Sequence, residues 1–230
     1  MAGQASFRAF ILALSLSGAA AEAAEPVSSP DSAPGAPPVL YVHAGAVGAF
    51  PQVNAQATGG GIFSAANIAI PPQYTLALET GYFLTPNLAI GFGAGVPPIA
   101  HIKAAGFPMA AALGTALQGS VRYGPVVMLL QYHFTQFGAF QPYAGVGAGY
   151  VLNLGNINDG VLTNFSWDQN FAFVLQAGTD WMFTPSWGVF IDGKKLFYST
   201  DAQGFSGGIP VRTHARLDPW AASTGITFKY

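Results

Sequence analysis

From Val39 onward the side chains alternate with a period of two, apolar on one parity and small or polar on the other. That rhythm is the signature of a β-strand, whose successive side chains point to opposite faces, and no 3.6-residue pattern competes with it. In Tyr74–Phe83, Tyr74, Leu76, Leu78, Thr80 and Tyr82 share one side, with Ala77, Glu79 and Gly81 on the other. Leu88, Ile90, Phe92, Ala94 and Val96 oppose Ala89, Gly91, Gly93 and Gly95. Ala144, Val146, Ala148 and Tyr150 oppose Gly145, Gly147 and Gly149, while Phe171, Phe173, Leu175, Ala177, Trp181 and Phe183 oppose Gln176, Gly178 and Asp180.

Which parity faces water follows from composition. Charged residues are 8% of the chain and hydrophobic ones 51%, against roughly 25% charged in soluble domains. Such a chain cannot clothe a soluble globule. Yet no run of about 18 apolar residues, the length a spanning helix needs, follows the first thirty positions. In lipid only helices and closed barrels satisfy every backbone polar group. The apolar parity therefore meets hydrocarbon, and the small and polar parity lines a narrow interior.

About eight segments have strand length: Leu40–Phe50, Tyr74–Phe83, Leu88–Val96, Val121–Phe134, Gln141–Leu152, Phe171–Phe183, Trp187–Tyr198 and Pro219–Tyr230. Their connections alternate. Leu84–Asn87, Thr135–Phe140 and Thr184–Ser186 are short, whereas 51–73, 97–120, 153–170 and 199–218 are long and rich in Gly, Asn and Ala. The expected fold is all-β: an eight-stranded antiparallel transmembrane β-barrel with short periplasmic turns and long extracellular loops. Tyr82, Phe134, Trp181, Trp187, Trp220 and Tyr230, near strand ends, would form interfacial girdles.

The N-terminus has the form of a secretory signal peptide, 1–23: one positive charge by Arg8, an apolar run Ala9–Ala20, and a small-x-small site at Ala21-Glu22-Ala23. The Pro- and Ser-rich stretch 24–38 reads as a flexible linker, and 39–230 as the barrel. Together these place the mature chain in the cell outer membrane. Cysteine is absent, which excludes disulfides and thiolate chemistry. A net charge of −2 leaves no basic footprint for nucleic acid. No metal-binding histidine pair and no phosphate loop is present (Gly59-Gly60-Gly61 precedes no helix), so no cofactor or metal is expected.

Several stretches resemble the OmpW family of outer-membrane proteins. They are Tyr82-Phe83-Leu84-Thr85-Pro86-Asn87-Leu88-Ala89, Gln131-Tyr132-His133-Phe134, Gln141-Pro142-Tyr143-Ala144-Gly145-Val146-Gly147, Asp180-Trp181-Met182-Phe183-Thr184-Pro185-Ser186-Trp187 and Leu217-Asp218-Pro219-Trp220. The resemblance covers the chain after the linker. It implies an eight-stranded barrel with a narrow, largely apolar channel for small hydrophobic molecules, and loops exposed to phage, bacteriocins or host factors. Two departures stand out: an Ala- and Gly-rich first strand, and Gly193-Lys194-Lys195 where the family more often has Val-Lys/Arg-Tyr. The end of the chain, with Gly225, Phe228 and Tyr230, resembles the signal read by the bacterial barrel-assembly machinery.

Inward parity gathers ionisable residues in the periplasmic half: Glu79, Asp180 and Asp192, with Gln131 and His133 at similar depth and Lys194 and Lys229 to neutralise the acids. Buried charges must be paired. The set reads either as a plug that rigidifies the barrel, or as a plug that also closes the axial route and sends an apolar solute sideways into the bilayer. Gly91, Gly93, Gly95, Gly145, Gly147 and Gly149 flank larger inward residues of the fourth strand, and either accommodate them or leave space for a solute. Lys195 has lipid-facing parity, worth roughly 2–4 kcal/mol against it at mid-membrane, so a register change at Gly193 or snorkelling is expected. His43, His101 and His214 sit singly in the sequence and are read as solvated.

Three functions remain open at this point. A passive channel for small hydrophobic solutes is preferred; a structural or adhesion barrel with a filled lumen is the alternative. A lipid-modifying barrel enzyme needs a His–Ser set at the outer interface, and His133, the strand histidine with acidic neighbours, has no serine near it in the sequence. A general porin needs about sixteen strands.

Overall fold

A computed structural model describes residues 39–58, 67–105, 117–157, 159, 160, 162–206 and 209–230. The segments expected to be signal peptide and linker, 1–38, and Gly59-Gly60-Gly61 lie outside the described residues. The strands, in chain order, are β1 (Leu40–Phe50), β2 (Asn54–Thr58), β3 (Asn67–Ala69), β4 (Gln73–Phe83), β5 (Leu88–Gly95), β6 (Ile99–Ala105) and β7 (Leu117–His133). After one 3-10 turn follow β8 (Phe140–Ile157), β9 (Thr163–Trp167), β10 (Asn170–Met182), β11 (Trp187–Ser206), β12 (Ile209–Arg216) and β13 (Trp220–Lys229).

Eight of these close a ring. The antiparallel ladders run β1–β4–β5–β7–β8–β10–β11–β13 and return to β1. Closure removes every exposed sheet edge at membrane depth, which lipid demands. At the seam between first and last strands, Gly45 faces Gly225. A Cβ on either would run into the backbone of the other strand, so β1 and β13 approach more closely than side chains permit.

The long connections are not simple loops, which corrects the expectation for 51–73, 97–120, 153–170 and 199–218. The strands β7, β8 and β11 continue upward to 17, 18 and 20 residues. Added to them are β6 on β7, β9 and β12 on β11, β3 on β6 and β2 on β12. A second, extracellular tier of sheet therefore stands on the membrane ring.

The two tiers have opposite polarity. In the lower tier Leu76, Phe92, Met128, Val146 and Phe173 are exposed on the outside, while His133, Gln131, Asp180 and Glu79 are buried inside. Higher on the same strands the inside becomes apolar: Val121, Leu196, Trp167, Ala202, Ala215 and Leu217 belong to the main core cluster. The outside becomes polar, with Arg122, Asp201, His214 and Arg216 exposed. One strand crosses from hydrocarbon to water, and its hydrophobic parity changes with the solvent. Lys195 sits at that boundary. The β10–β11 register passes through Gly193 without a shift, and the Lys195 ammonium snorkels to the Asp218 carbonyl (2.5 Å) and Gln52 Oε1 (2.9 Å) over the Trp220 ring.

The aromatic ends follow the girdle expectation. Tyr82, Trp181, Trp187 and Tyr230 are exposed beside the short turns, Trp220 at the upper boundary, and Phe134 is half-buried.

Candidate functional site

The interior has a polar floor and an apolar cup. In the floor, Glu79 from β4 is met by Tyr41 of β1, whose hydroxyl lies 2.9 Å from Glu79 Oε1 and 2.6 Å from Gln131 Oε1. Gln131 of β7 donates to Glu79 Oε1 and to Gln176 Oε1, both at 2.7 Å. Gln176 of β10 passes the chain on to Asp192 Oδ2 at 2.7 Å, which Tyr143 of β8 also reaches at 3.1 Å. Lys194 of β11 bridges Asp192 and Glu79 Oε2, the latter at 3.0 Å. A second charge cluster lies below: Lys229 Nζ is 2.7 Å from Asp180 Oδ2 and donates to Gln141 Oε1 at 2.6 Å. His43 Nε2 is 2.9 Å from Asp180 Oδ1 and Nδ1 is 4.0 Å from Glu79 Oε1. The contacts to Asp180 are close approaches at angles poor for hydrogen bonds. His133 bonds Gln131 Oε1 at 3.1 Å and packs on Tyr41, Phe83 and Tyr143.

The structure thus brings Glu79, Gln131, His133, Asp180, Asp192 and Lys194 into one buried assembly. It also corrects the reading of His43 as a solvated histidine. His43 is 3% exposed and stacked on Phe190 at 4.4 Å. Sequence reading also left Tyr41, Tyr143 and Gln176 out of the site. Seven of the eight ring strands contribute a long polar side chain. The exception is β5, whose Ala89 and Gly91 leave the room that the Tyr41 ring fills.

The glycines divide. A Cβ at Gly91 would strike the Tyr41 hydroxyl, at Gly145 it would press on Gln131 and Gln176, and at Gly147 it would enter the β7 backbone. At Gly149 it would lie 3.3 Å from Val127. These positions accommodate neighbours. Gly93 and Gly95 also line the cavity above the floor, although a Cβ at Gly93 would lie 2.9 Å from Val127 and one at Gly95 3.0 Å from the Leu76 carbonyl oxygen.

That cavity encloses about 1330 Å³ of empty space, its open part included. Its walls are aliphatic and aromatic, among them Val47, Ala77, Val127, Val151, Leu196 and Tyr198, and its base is His43, Glu79, Lys194 and Ser223. It also reaches a weak place in the wall. The β5–β7 ladder stops at Ala94↔Val126, and β6–β7 pairing begins only at Ile99↔Arg122. Between them stand Pro97, Pro98 and Pro125, which have no N–H to give. Across this gap Tyr123 OH donates to Gln73 Oε1 at 2.8 Å, and Val96, Pro98, Tyr123 and Pro125 all line the cavity.

The other two histidines are also placed. His214 pairs with Asp201 at 2.7 Å on the surface. His101, expected on a loop, lies in β6 with Nδ1 2.7 Å from Ser120 Oγ, and Ser120 donates to Asp159 Oδ2 at 2.9 Å. Ser120 stands between base and acid and is fully buried, the reverse of the order a nucleophilic serine requires. Phe228 and Tyr230 turn outward on β13, Phe228 against Trp187 at 4.7 Å, and Gly225 sits at the seam.

A closed ring with an apolar exterior, girdled by aromatics and holding an apolar cup over a polar floor, defines a small outer-membrane β-barrel. The chain belongs to the OmpW family, whose model matches residues 39–230. It is 34% identical over 172 residues to the outer membrane protein AlkL of Ectopseudomonas oleovorans, covering 75% of this chain and 73% of that one. It is 28% identical over 174 residues to the dibenzothiophene metabolism operon protein PahQ of Pseudomonas aeruginosa, covering 76% and 77%. The solid-state NMR structure of AlkL in lipid bilayers superposes with a TM-score of 0.60 at 28% identity, over 93% of this chain and 96% of that one. OprG of Pseudomonas aeruginosa has the same fold, with a TM-score of 0.75 at 16% identity over 84% and 96%.

Proposed function

We propose that the protein is a passive channel in which a small hydrophobic solute enters the apolar cup from outside and leaves sideways into the bilayer. The carrying observation is the conjunction of a hydrogen-bonded floor with an interrupted wall at the height of the cup. Moving an apolar solute through the floor would break bonds among Tyr41, Glu79, Gln131, Gln176 and Asp192 and leave buried polar groups unpaired, at about 1–3 kcal/mol each. Moving it through the wall between β5–β6 and β7 meets a ladder already open from Ala94↔Val126 to Ile99↔Arg122, crossed by the Tyr123 N–H to Pro98 carbonyl bond at 3.2 Å and flanked by the Tyr123–Gln73 side-chain bond. The name of one relative ties it to an operon for dibenzothiophene, a flat apolar compound, which suits a cup of this lining.

The test is permeation into liposomes of apolar and charged probes of similar size. Apolar probes should pass faster with the protein than without, charged ones should not, and Ala77→Trp, which fills the cup, should abolish the gain. Equal apolar rates with and without protein would sink the channel. Full rates in a variant whose β5–β6 and β7 walls are cross-linked by Val96→Cys/Pro125→Cys would sink lateral exit alone.

A further inference from the structure

The described residues contain seven Lys and Arg side chains, and most are engaged. Lys194 and Lys229 serve the floor, Lys195 binds Asp218 and Gln52, Arg216 pairs with Asp218 at 2.5 Å, and Arg212 interacts within the protein. Lys103 and Arg122 make no hydrogen bond or ion pair among the described residues, and both are exposed. They are neighbours. His101 pairs with Ser120, Arg122 lies two residues along β7 from Ser120, and Lys103 two residues along β6 from His101. All three point outward, since the alternate residues Ala100, Ile102 and Val121 are buried inside. Diagonal strand neighbours lie about 7–8 Å apart and alternate residues about 6.6 Å, so the row from Arg122 to Lys103 spans about 14 Å. Arg122 stands where the exterior turns from apolar to polar, and Gly155 beside it leaves open space on its flank. The Asp159 carboxylate accepts from Ser120.

We propose that Arg122 and Lys103, with His101 between them, form a site for the phosphorylated headgroup of an outer-leaflet glycolipid. Its acyl chains lie along the exposed apolar wall below, and its phosphates meet the two cations. Two free cations at that spacing suit a headgroup with two phosphates better than a single anion, and cations just beyond the hydrocarbon are what anionic headgroups attract.

The full chain in phosphatidylcholine nanodiscs, titrated with diphosphoryl lipid A and with the same lipid stripped of both phosphates, tests this. Wild type should prefer the diphosphoryl form, and K103Q/R122Q should bind it about thirtyfold more weakly, the order expected for two surface cations. R216Q should leave it unchanged. Both targets are exposed and make no ion pair among the described residues, so an unaltered thermal transition will certify the fold. Equal affinity of wild type for the two lipids, or undiminished binding by K103Q/R122Q, overturns the proposal. Inorganic phosphate alone binding as tightly as the diphosphoryl lipid also overturns it, by reducing the site to one for a free anion.

Discussion

Asp180 is 0% exposed, with His43 on one oxygen and Lys229 on the other. In Asp180→Asn the shape survives but the charge does not, and Lys229, itself 3% exposed, keeps only the Gln141 amide oxygen. Removing one partner of a buried pair costs about 3–5 kcal/mol, because the remaining charge is stranded. At about 1.4 kcal/mol per decade, that is a shift of the unfolding equilibrium by roughly two to three and a half powers of ten. The reasoning makes a second, less intuitive demand. Asp180→Asn/Lys229→Met removes both charges, and replacement of buried pairs by neutral groups is often neutral or stabilising, so the double variant should be more stable than the single. Urea unfolding in phospholipid vesicles, followed by fluorescence of the four tryptophans, reads both. A loss below about 1 kcal/mol in Asp180→Asn, or a double variant no more stable than the single, would refute the account of the floor as a paired charge network.

Further expectations concern packing and the wall. Gly91→Ala should destabilise by about 1–3 kcal/mol through overpacking against the Tyr41 hydroxyl; in the Tyr41→Phe background its cost should shrink by at least about 0.5 kcal/mol in a double-mutant cycle. Leu129→Ala, at a position 1% exposed inside the ring, should cost about 2–5 kcal/mol in the same assay. Tyr123→Phe removes the Tyr123–Gln73 side-chain bond at the wall gap and should raise apolar permeation without admitting charged probes; an unchanged rate would remove the bond from the exit route.

What the sequence discloses and hides follows from which solvent each residue meets. Leu76, Ile90, Val146 and Phe173 could be oriented because hydrocarbon tolerates only apolar side chains, and their alternation is unbroken. Glu79, Asp180 and Asp192 were legible because a charge on the opposite parity has nowhere else to go. Tyr41 and His43 were not, since β1 is Ala- and Gly-rich on both faces and neither parity declares itself. The meeting of His43 with Asp180, 137 positions apart, exists only once the ring closes. The upper tier was read as loops for a different reason. There the polarity of the faces reverses, and Gly, Asn and Pro interrupt the pattern at the crossing. Ser120, His101 and Asp159 converge only through the β6–β7 pairing that this tier creates.

The height of β11 has its own consequence. Twenty residues at about 3.3 Å each, tilted by about 40°, rise about 50 Å, whereas the hydrocarbon band of such barrels is about 25 Å tall. The tallest staves therefore overtop the fatty layer by about as much again. A greasy molecule arriving from the medium must cross a hydrated sugar thicket before it finds any oil. On the proposed function, the apolar interior lined by Trp167, Leu196 and Leu217 in the upper tier would spare the molecule part of that wet journey.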